Sequence, residues 1–416
     1  AESTGRRAFL KGSAAAVAAP LVITARRTEA QAGGAFPASP PTTPWVEELP
    51  AQIDPLQPSS ALTPAPAYYA QSALGECGRA DHERYAELCV NPAFYELRAR
   101  ENPSWVFNPA YPPQPVWGFA GNTQGASWDG NPASLATTAP GPTILARYGQ
   151  PIVARIYNEL PQNHVGFGSP EISTHLHNAH NPSESDGFPG DFFSPLKSGP
   201  TLGGPGQWRD HFWPNVYAGV DEFGGIGDQR EALGTLFYHD HTMDFTAPNV
   251  VKGMAGFYLL FDHIDSGNER DPRRSALRLP SHPYDYPLMF SDKRFDANGV
   301  LFYDQFDPEG VLGDKVVVNG KIEPVLRVAR RKYRLRLLNG GPARFYRLSL
   351  ADAAGILKPF IYIANDGNLL TAPLPGLTHV DIGPAERADI VFAFAPSPLG
   401  TELYIVNRRV QNSTRR

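Results

Sequence analysis

Two consecutive β-strands are predicted by Pro142-Thr-Ile-Leu-Ala-Arg-Tyr-Gly-Gln-Pro-Ile-Val-Ala-Arg-Ile-Tyr-Asn158. Alternation of apolar residues with a period of two is typical of strands that bury one face. The first strand alternates at Ile144, Ala146 and Tyr148, and the second at Ile152, Ala154 and Ile156. This stretch therefore belongs to a β-sheet domain.

A related pattern returns in the second half of the chain, between Pro324 and Asn339. Pro142 matches Pro324 at an offset of 182 residues, and the apolar alternation continues behind both prolines. We interpret this as an internal repeat, so the chain is predicted to hold two copies of one β domain. The junction is predicted at 267–283, where the sequence is charged and lacks apolar periodicity.

Composition supports an all-β fold and excludes some partners. The chain has 416 residues, which suggests two or three domains, and its 39 glycines and 42 prolines favour short strands and turns over a helical bundle. A formal net charge of -5 gives no electrostatic reason to expect nucleic acid or an anionic membrane as partner. We expect no membrane span, because the apolar stretch at 14–23 is far shorter than about 20 residues.

The N-terminal region is predicted to stand apart from the fold. Arg6-Arg7 is followed by a mildly apolar stretch and by Ala30-Gln-Ala32. This order resembles a twin-arginine export signal at 1–32, which predicts a periplasmic or secreted protein. An ordinary basic, alanine-rich helix is the alternative. Residues 33–110 are predicted to be a proline-rich tether with a short helical segment.

The chain has only two cysteines, Cys77 and Cys89. In an oxidising compartment they could form a disulfide across the short helical segment at 81–88. Two buried free thiols are the alternative, and the sequence leaves the choice open with the disulfide slightly favoured.

Four of the 11 histidines form two His-x-His pairs, His175-Leu-His177 and His239-Asp-His241. On a strand, residues two apart project to the same face, so each pair offers two imidazoles together. One such pair is more often structural or solvent-exposed. Two pairs that both follow apolar β residues predict a metal site, although imidazole alone does not choose among copper, zinc, iron and nickel.

The sequence around these pairs resembles the multicopper oxidases, particularly their bacterial laccase and bilirubin oxidase branch. The resemblance covers about 116–406, and its motifs are highly specific. Besides the first histidine pair, they are Pro140-Gly-Pro-Thr143, Ser185-Asp-Gly-Phe-Pro189, Tyr238-His-Asp-His241 and Gly253-Met-Ala-Gly-Phe257. The resemblance implies two cupredoxin-like Greek-key β-sandwiches, at 111–266 and 284–416, out of three in the family.

The resemblance also implies copper as the cofactor. In this family a type 1 copper takes electrons from substrate and passes them to a trinuclear cluster that reduces dioxygen to water. Eight histidines hold the cluster, four of them from the first domain. Carried onto this chain, the type 2 ligand would be His175, and the type 3 ligands would be His177, His239 and His241.

Asp186 matches the acidic residue that the family places near the cluster. It could orient a water molecule or relay protons, and a turn-forming role before Gly187 is the alternative. Asn178 departs from the glycine that the family usually has there. His180 is off the pattern and is predicted to lie in a loop near the site. Tyr238 is predicted to be core, and the isolated histidines are predicted to be structural or solvated: His82, His164, His211, His263, His282 and His379.

The motifs of the family's last domain are absent after Val250. That domain supplies the other four cluster ligands and the type 1 site through His-x-x-His-x-His and His-Cys-His. We therefore expect a fragment that lacks this C-terminal cupredoxin domain and is inactive alone. The full protein would be an oxidase that couples oxidation of a small reducing substrate, such as a phenol, a bilirubin-like tetrapyrrole or a metal ion, to reduction of dioxygen.

Two other functions are compatible with parts of the sequence. One is an exported copper-free protein of the same fold with a structural or partner-binding role, which retention of the four histidines disfavours. The other is a two-domain copper nitrite reductase. That enzyme needs a type 1 cysteine where this chain has Asp240, so we disfavour it as well.

Overall fold

The computed structural model of the chain describes residues 19–23, 36–70, 73–125, 128–307 and 310–411. Strands dominate it, as predicted, and they form four sheets. Helix within these ranges is limited to α1 (Tyr85–Leu88), α2 (Thr246–Lys252) and short 3-10 turns at Pro132–Ser134, Ser183–Ser185 and Gln229–Glu231. None of the described helices is long and apolar enough to cross a membrane. The first strand is β1 (Ala19–Ile23).

The next nine strands form the first sandwich. They are β2 (Ala93–Trp105), β3 (Gln114–Ala120), β4 (Thr137–Thr138), β5 (Gly141–Arg147), β6 (Ile152–Asn158), β7 (Thr174–His177), β8 (Trp208–Trp213), β9 (Thr235–Asp240) and β10 (Ala255–Phe261). One sheet has the order β4-β3-β2-β6-β8 and the other β5-β10-β9-β7. Apolar side chains from both sheets, including Trp117 and Leu236, share one core.

The remaining strands form the second sandwich together with β1. They are β11 (Asp285–Phe295), β12 (Leu301–Phe302), β13 (Lys315–Val318), β14 (Lys321–Ile322), β15 (Val325–Val328), β16 (Lys332–Asn339), β17 (Tyr346–Asp352), β18 (Leu357–Lys358), β19 (Phe360–Asn365), β20 (Asn368–Leu377), β21 (Val380–Ile382), β22 (Arg387–Ala393) and β23 (Leu403–Asn407). One sheet has the order β14-β13-β11-β16-β22-β19-β20, with β12 beside β11. The other has the order β15-β1-β23-β17-β18, with β21 beside β17.

The internal repeat is visible in the topology. β6 lies between a parallel neighbour, β2, and an antiparallel one, β8. β16 lies in the same way between β11 and β22. Ile156 of β6 and Leu337 of β16 point into the cores of their respective sandwiches. The matched sequence patterns therefore form corresponding strands of two similar sandwiches, and the chain passes between them at 262–284.

Two strands lie in regions for which no sheet is predicted. β2 falls within 33–110, where Tyr95, Leu97 and Ala99 are buried on alternate positions. β1 falls within 1–32 and pairs with β15 on one side and β23 on the other. In the first sandwich the corresponding strands β5 and β10 pair directly, so β1 is an added strand. The twin-arginine pair and the alanines before the predicted cleavage point lie outside the described residues, and the export signal stays a prediction.

Both cysteines are free thiols, so the favoured disulfide is wrong. Cys77 is fully buried in the core of the first sandwich. Cys89 packs with Tyr85 in a separate small cluster near Phe212. Burial raises the pKa of Cys77 to about 12, which keeps this thiol protonated and unreactive.

Candidate metal centre

The two histidine pairs lie on neighbouring strands. β7 runs antiparallel to β9, with His175 opposite His239, and the backbone amide of His241 donates to the Ser173 carbonyl at 2.7 Å. Because alternate residues share a face, all four imidazoles project to one side of the sheet. The ring centroid of His175 lies 5.4, 5.4 and 5.3 Å from those of His177, His239 and His241.

The opposite face of the same strands is core. Leu176 and Tyr238 are fully buried, and the Tyr238 hydroxyl donates to the Pro142 carbonyl at 2.7 Å. A Cβ on Gly141 or Gly256 would overlap the Tyr238 ring or hydroxyl, so only glycine fits there. Two of the glycine-containing motifs around the site therefore pack against the residue that precedes the second histidine pair, and Tyr238 is core as predicted.

The buried Asp240 carboxylate, on the core-facing side of β9, links β9 to the residue that precedes β7. Its Oδ1 accepts from the Ser173 backbone amide at 2.9 Å and the Thr242 hydroxyl at 2.9 Å. Its Oδ2 accepts from the Thr242 backbone amide at 3.2 Å and the Asn249 side-chain amide at 2.9 Å. Burial raises the pKa of Asp240 to about 6, and the hydrogen bonds oppose the rise. Sequence reasoning missed this role, although a polar residue on the core-facing side of a strand was a usable signal.

Hydrogen bonds fix which ring nitrogen of two histidines is free. His175 Nδ1 donates to the Asp186 carbonyl, and His239 Nδ1 donates to the Asp240 carbonyl at 2.8 Å. The Nε2 atom of each ring then carries a lone pair, as a metal ligand requires. His177 Nδ1 lies 3.3 Å from His239 Nε2.

Burial disfavours the charged form of two of the imidazoles, His177 and His239. Loss of solvent lowers the pKa of His177 to about 3, helped by the nearby Arg387 charge, and lowers the pKa of His239 well below its ordinary value. One nitrogen from each of His175, His177 and His239 lies within 4.8 Å of the others. His241 Nδ1 is buried without a hydrogen-bond partner among the described residues. Four converging imidazoles fit copper, because imidazole nitrogen is a ligand that copper accepts.

The Phe237 ring packs against two of the imidazoles. It stacks on His177 with a centroid distance of 4.7 Å and an interplanar angle of 25°, and on His239 at 4.9 Å and 23°. The sequence analysis did not single out Phe237. Its position two residues before His239 placed it on the histidine face and could have identified it.

Asp186 lies beside the cluster, directly after the 3-10 turn Ser183–Ser185. Its Oδ1 is 3.6 Å from His175 Nδ1, and burial raises the pKa of Asp186 while His175 and His241 oppose the rise. Gly187 follows with a φ of 80°, and a Cβ there would overlap the backbone of β7. Asp186 thus occupies a turn and also faces a predicted ligand, and its role towards water or protons stays a prediction.

Asn178, directly after His177, stands where the resembled family usually has glycine. Asn178 has a φ of 73°, the left-handed conformation that glycine adopts most easily and asparagine tolerates. This explains how asparagine can stand where the resembled family has glycine.

His180 Nδ1 lies 3.2 Å from the Val216 carbonyl, outside the cluster. His82 and His211 are fully buried elsewhere in the first sandwich, and His82 Nδ1 lies 3.4 Å from Glu184.

Comparison with known proteins gives consistent relatives. No family model matches the chain. Over 284 residues it is 34% identical to a laccase of Bacillus stratosphericus, which covers 62% of this chain and 49% of the laccase. Over 264 residues it is 32% identical to a bilirubin oxidase of Albifimbria verrucaria, which covers 62% of this chain and 38% of that enzyme. The solved structure of a McoA multicopper oxidase variant from Aquifex aeolicus matches with a TM-score of 0.52 and 25% identity, over 75% of this chain and 58% of that one. The chain spans about half the length, or less, of these two curated relatives.

Proposed function

Because the chain belongs to the multicopper oxidase family, we propose that it supplies half of a copper cluster in an enzyme that oxidises a small reducing substrate and reduces dioxygen to water. The observation that carries this proposal is the convergence of four imidazoles on one face of the sheet that contains β7 and β9. Bound copper would supply the electron transfer. His175 would hold the type 2 copper, and His177, His239 and His241 would hold the type 3 pair.

The residues around the ligands have supporting tasks. The carbonyls of Asp186 and Asp240 hold two imidazoles with Nε2 directed away from the backbone. The Asp186 carboxylate, beside His175, would take up and release the protons that oxygen reduction consumes. Four imidazoles are too few for three coppers, so we propose that the remaining ligands and the type 1 site come from a further cupredoxin domain. We also propose export by the twin-arginine route.

Copper binding by the chain tests this proposal directly. The wild type is titrated with Cu(II) and compared with a His175→Ala/His177→Ala variant by calorimetry and electron paramagnetic resonance. We expect the variant to bind more than about 100-fold more weakly, because ligands matter more than their supporting partners. A His263→Ala/His379→Ala variant removes one half-buried and one exposed histidine elsewhere and should bind as the wild type does.

Equal binding by the wild type and the first variant would sink the copper assignment and favour the copper-free alternative. The copper-loaded chain should also lack the intense blue absorption of a copper-thiolate bond and should not oxidise a phenolic dye. Its two thiols lie in other parts of the first sandwich, away from the imidazoles. A blue colour or dye turnover would contradict the proposed need for a further domain.

A further inference from the structure

A turn of the second sandwich touches both histidine strands. The turn, residues 366–367, connects β19 and β20. The Asp366 carbonyl accepts from the Asn178 side chain at 3.3 Å, directly after His177. The Gly367 carbonyl accepts from the Gly234 amide at 2.8 Å, directly before β9. The contact between the sandwiches therefore reaches the residue that follows His177 on β7 and the residue that precedes β9, five positions before His239.

Arg387, at the start of β22, joins this turn to β9. It is only 2% exposed, and its Nε donates to the Thr235 carbonyl at 3.0 Å. Its Nη2 donates to the Asp366 carbonyl at 2.7 Å and its Nη1 to the Ala385 carbonyl at 3.0 Å. A planar guanidinium held by three carbonyls has little freedom to move.

Thr235, the first residue of β9, is held by side chains of the second sandwich as well. Its hydroxyl donates to the two carboxylate oxygens of Asp389 at 2.8 and 2.9 Å and accepts from Arg336 Nη1 at 2.7 Å. All of these groups are buried. The first residue of β9 is therefore held in place by hydrogen bonds from side chains of the second sandwich.

Thr235, Phe237 and His239 alternate along β9, so they share the outward face. The guanidinium carbon of Arg387 lies 5.8 Å from the centroid of the Phe237 ring, on which His177 and His239 both stack. A continuous set of contacts therefore runs from Arg387 through Phe237 to two of the four imidazoles.

We propose that Arg387 is a positioning residue for the metal site, and that metal binding on the first sandwich is thermodynamically linked to its contact with the second. The inference rests on the proposed copper site and adds a residue that lies outside the first sandwich. Linkage is reciprocal, so a loosened contact weakens metal binding and bound metal strengthens the contact by the same factor.

Substitution of Arg387 tests the linkage. Arg387→Gln removes the charge and most of the donors, and Arg387→Lys keeps the charge but loses the planar arrangement. Arg347→Gln is the matched control, because Arg347 lies on the same sandwich but makes an exposed ion pair with Asp381 at 2.8 Å. Cu(II) affinity is measured by calorimetry, the bound copper by electron paramagnetic resonance, and the backbone by hydrogen exchange.

We expect Arg387→Gln to weaken copper binding by about tenfold to 100-fold, as loss of supporting groups around metal ligands does. Its copper spectrum should broaden, because the spacing of His177 and His239 is no longer fixed. In the wild type, copper should slow hydrogen exchange at residues 366–367, and in Arg387→Gln it should not. Arg347→Gln should behave as the wild type in all three measurements.

Wild-type affinity and an unchanged spectrum in Arg387→Gln would overturn the inference while leaving the copper site intact. Failure of the wild type to bind copper would overturn the proposed function, and the inference with it. If Arg387→Gln does not fold, Arg387→Lys provides the test. It should bind copper at least about threefold more weakly than the wild type, and equal binding would overturn the inference.

Discussion

Arg155 and Arg336 occupy matching positions of the internal repeat, on β6 and β16. Both are fully buried, and each makes a two-pronged ion pair with an aspartate of a neighbouring strand. Arg155 contacts Asp210 through two hydrogen bonds of 2.8 Å, and Arg336 contacts Asp285 through two of 2.7 Å. Each sandwich therefore contains a buried arginine–aspartate pair at this repeat position, with Asp210 on the antiparallel neighbour β8 and Asp285 on the parallel neighbour β11.

The two arginines differ in what covers them. The guanidinium carbon of Arg155 lies 3.7 Å from the centroid of the Trp208 ring, which belongs to the first sandwich. The Nη1 atom of Arg336 is not used in the ion pair with Asp285, and it donates to the Thr235 hydroxyl on β9 at 2.7 Å. The same repeat position therefore stabilises a single sandwich in one copy and joins two sandwiches in the other. The difference arises from the surroundings. Arg336 faces the first sandwich, and its aspartate partner lies on the parallel neighbour β11, whereas that of Arg155 lies on the antiparallel neighbour β8.

The largest expected effect is a loss of stability when either buried arginine is replaced, and copper affinity distinguishes the two variants. Arg155→Met and Arg336→Met should each lower the free energy of unfolding by about 4 kcal/mol, because an aspartate is left buried without its partner. Only Arg336→Met should also weaken copper binding, since only Arg336 touches the histidine strand. Urea unfolding and copper titration of both variants measure this. Equal losses of copper affinity would show that the comparison reflects stability alone.

A second test concerns a buried lysine at the contact between the two sandwiches, Lys293, whose charge changes with pH. Lys293 of β11 donates to the Val251 carbonyl of α2 at 2.5 Å, and burial lowers the pKa of Lys293 from 10.5 to about 8. Between those pH values the unfolded chain binds the proton more tightly, so the stability of the folded chain rises with pH.

We expect that rise to be about 3 kcal/mol in the wild type relative to Lys293→Met, measured by urea unfolding at several pH values. Lys332→Met, at an exposed position, should retain the wild-type rise. Parallel pH profiles for the wild type and Lys293→Met would contradict the lowered pKa of the buried Lys293 amine.

The smallest expected effect concerns the weakest contact between the sandwiches. Asn178→Gly removes the 3.3 Å hydrogen bond to Asp366 but relieves the left-handed conformation, so stability should change by less than about 0.5 kcal/mol. Asn178→Val should lower it by about 2 kcal/mol, because a β-branched residue is strained at this φ. Thermal unfolding of both variants decides whether backbone conformation or the hydrogen bond matters more at this position.

Much of the fold was accessible from the sequence. Alternation identified the strands at 142–158 and 324–339, and the spacing of two within each histidine pair placed the imidazoles on common faces. The structure brings His175, His177, His239 and His241 together and sets Asp186 beside them. These features depend on local periodicity, which a sequence records directly.

Other features depend on what covers a strand, which local periodicity does not record. Arg334 and Arg336 alternate with leucines and resemble a solvent-facing edge, yet the first sandwich covers them and both are fully buried. Alternation in β2 was present but lay within a segment dominated by prolines. The pairing of Cys77 with Cys89 failed because proximity in the sequence did not bring them into one cluster.

The outward-facing imidazoles also have a consequence for handling the protein. Three of the four histidines are only half-buried, and they present the same chemical group that affinity resins charged with nickel are designed to retain. The chain should adhere to such a resin without an added polyhistidine sequence, and imidazole should elute it. A polyhistidine tag would compete with the natural face for every ion added in a titration, so it must be removed before affinities are measured.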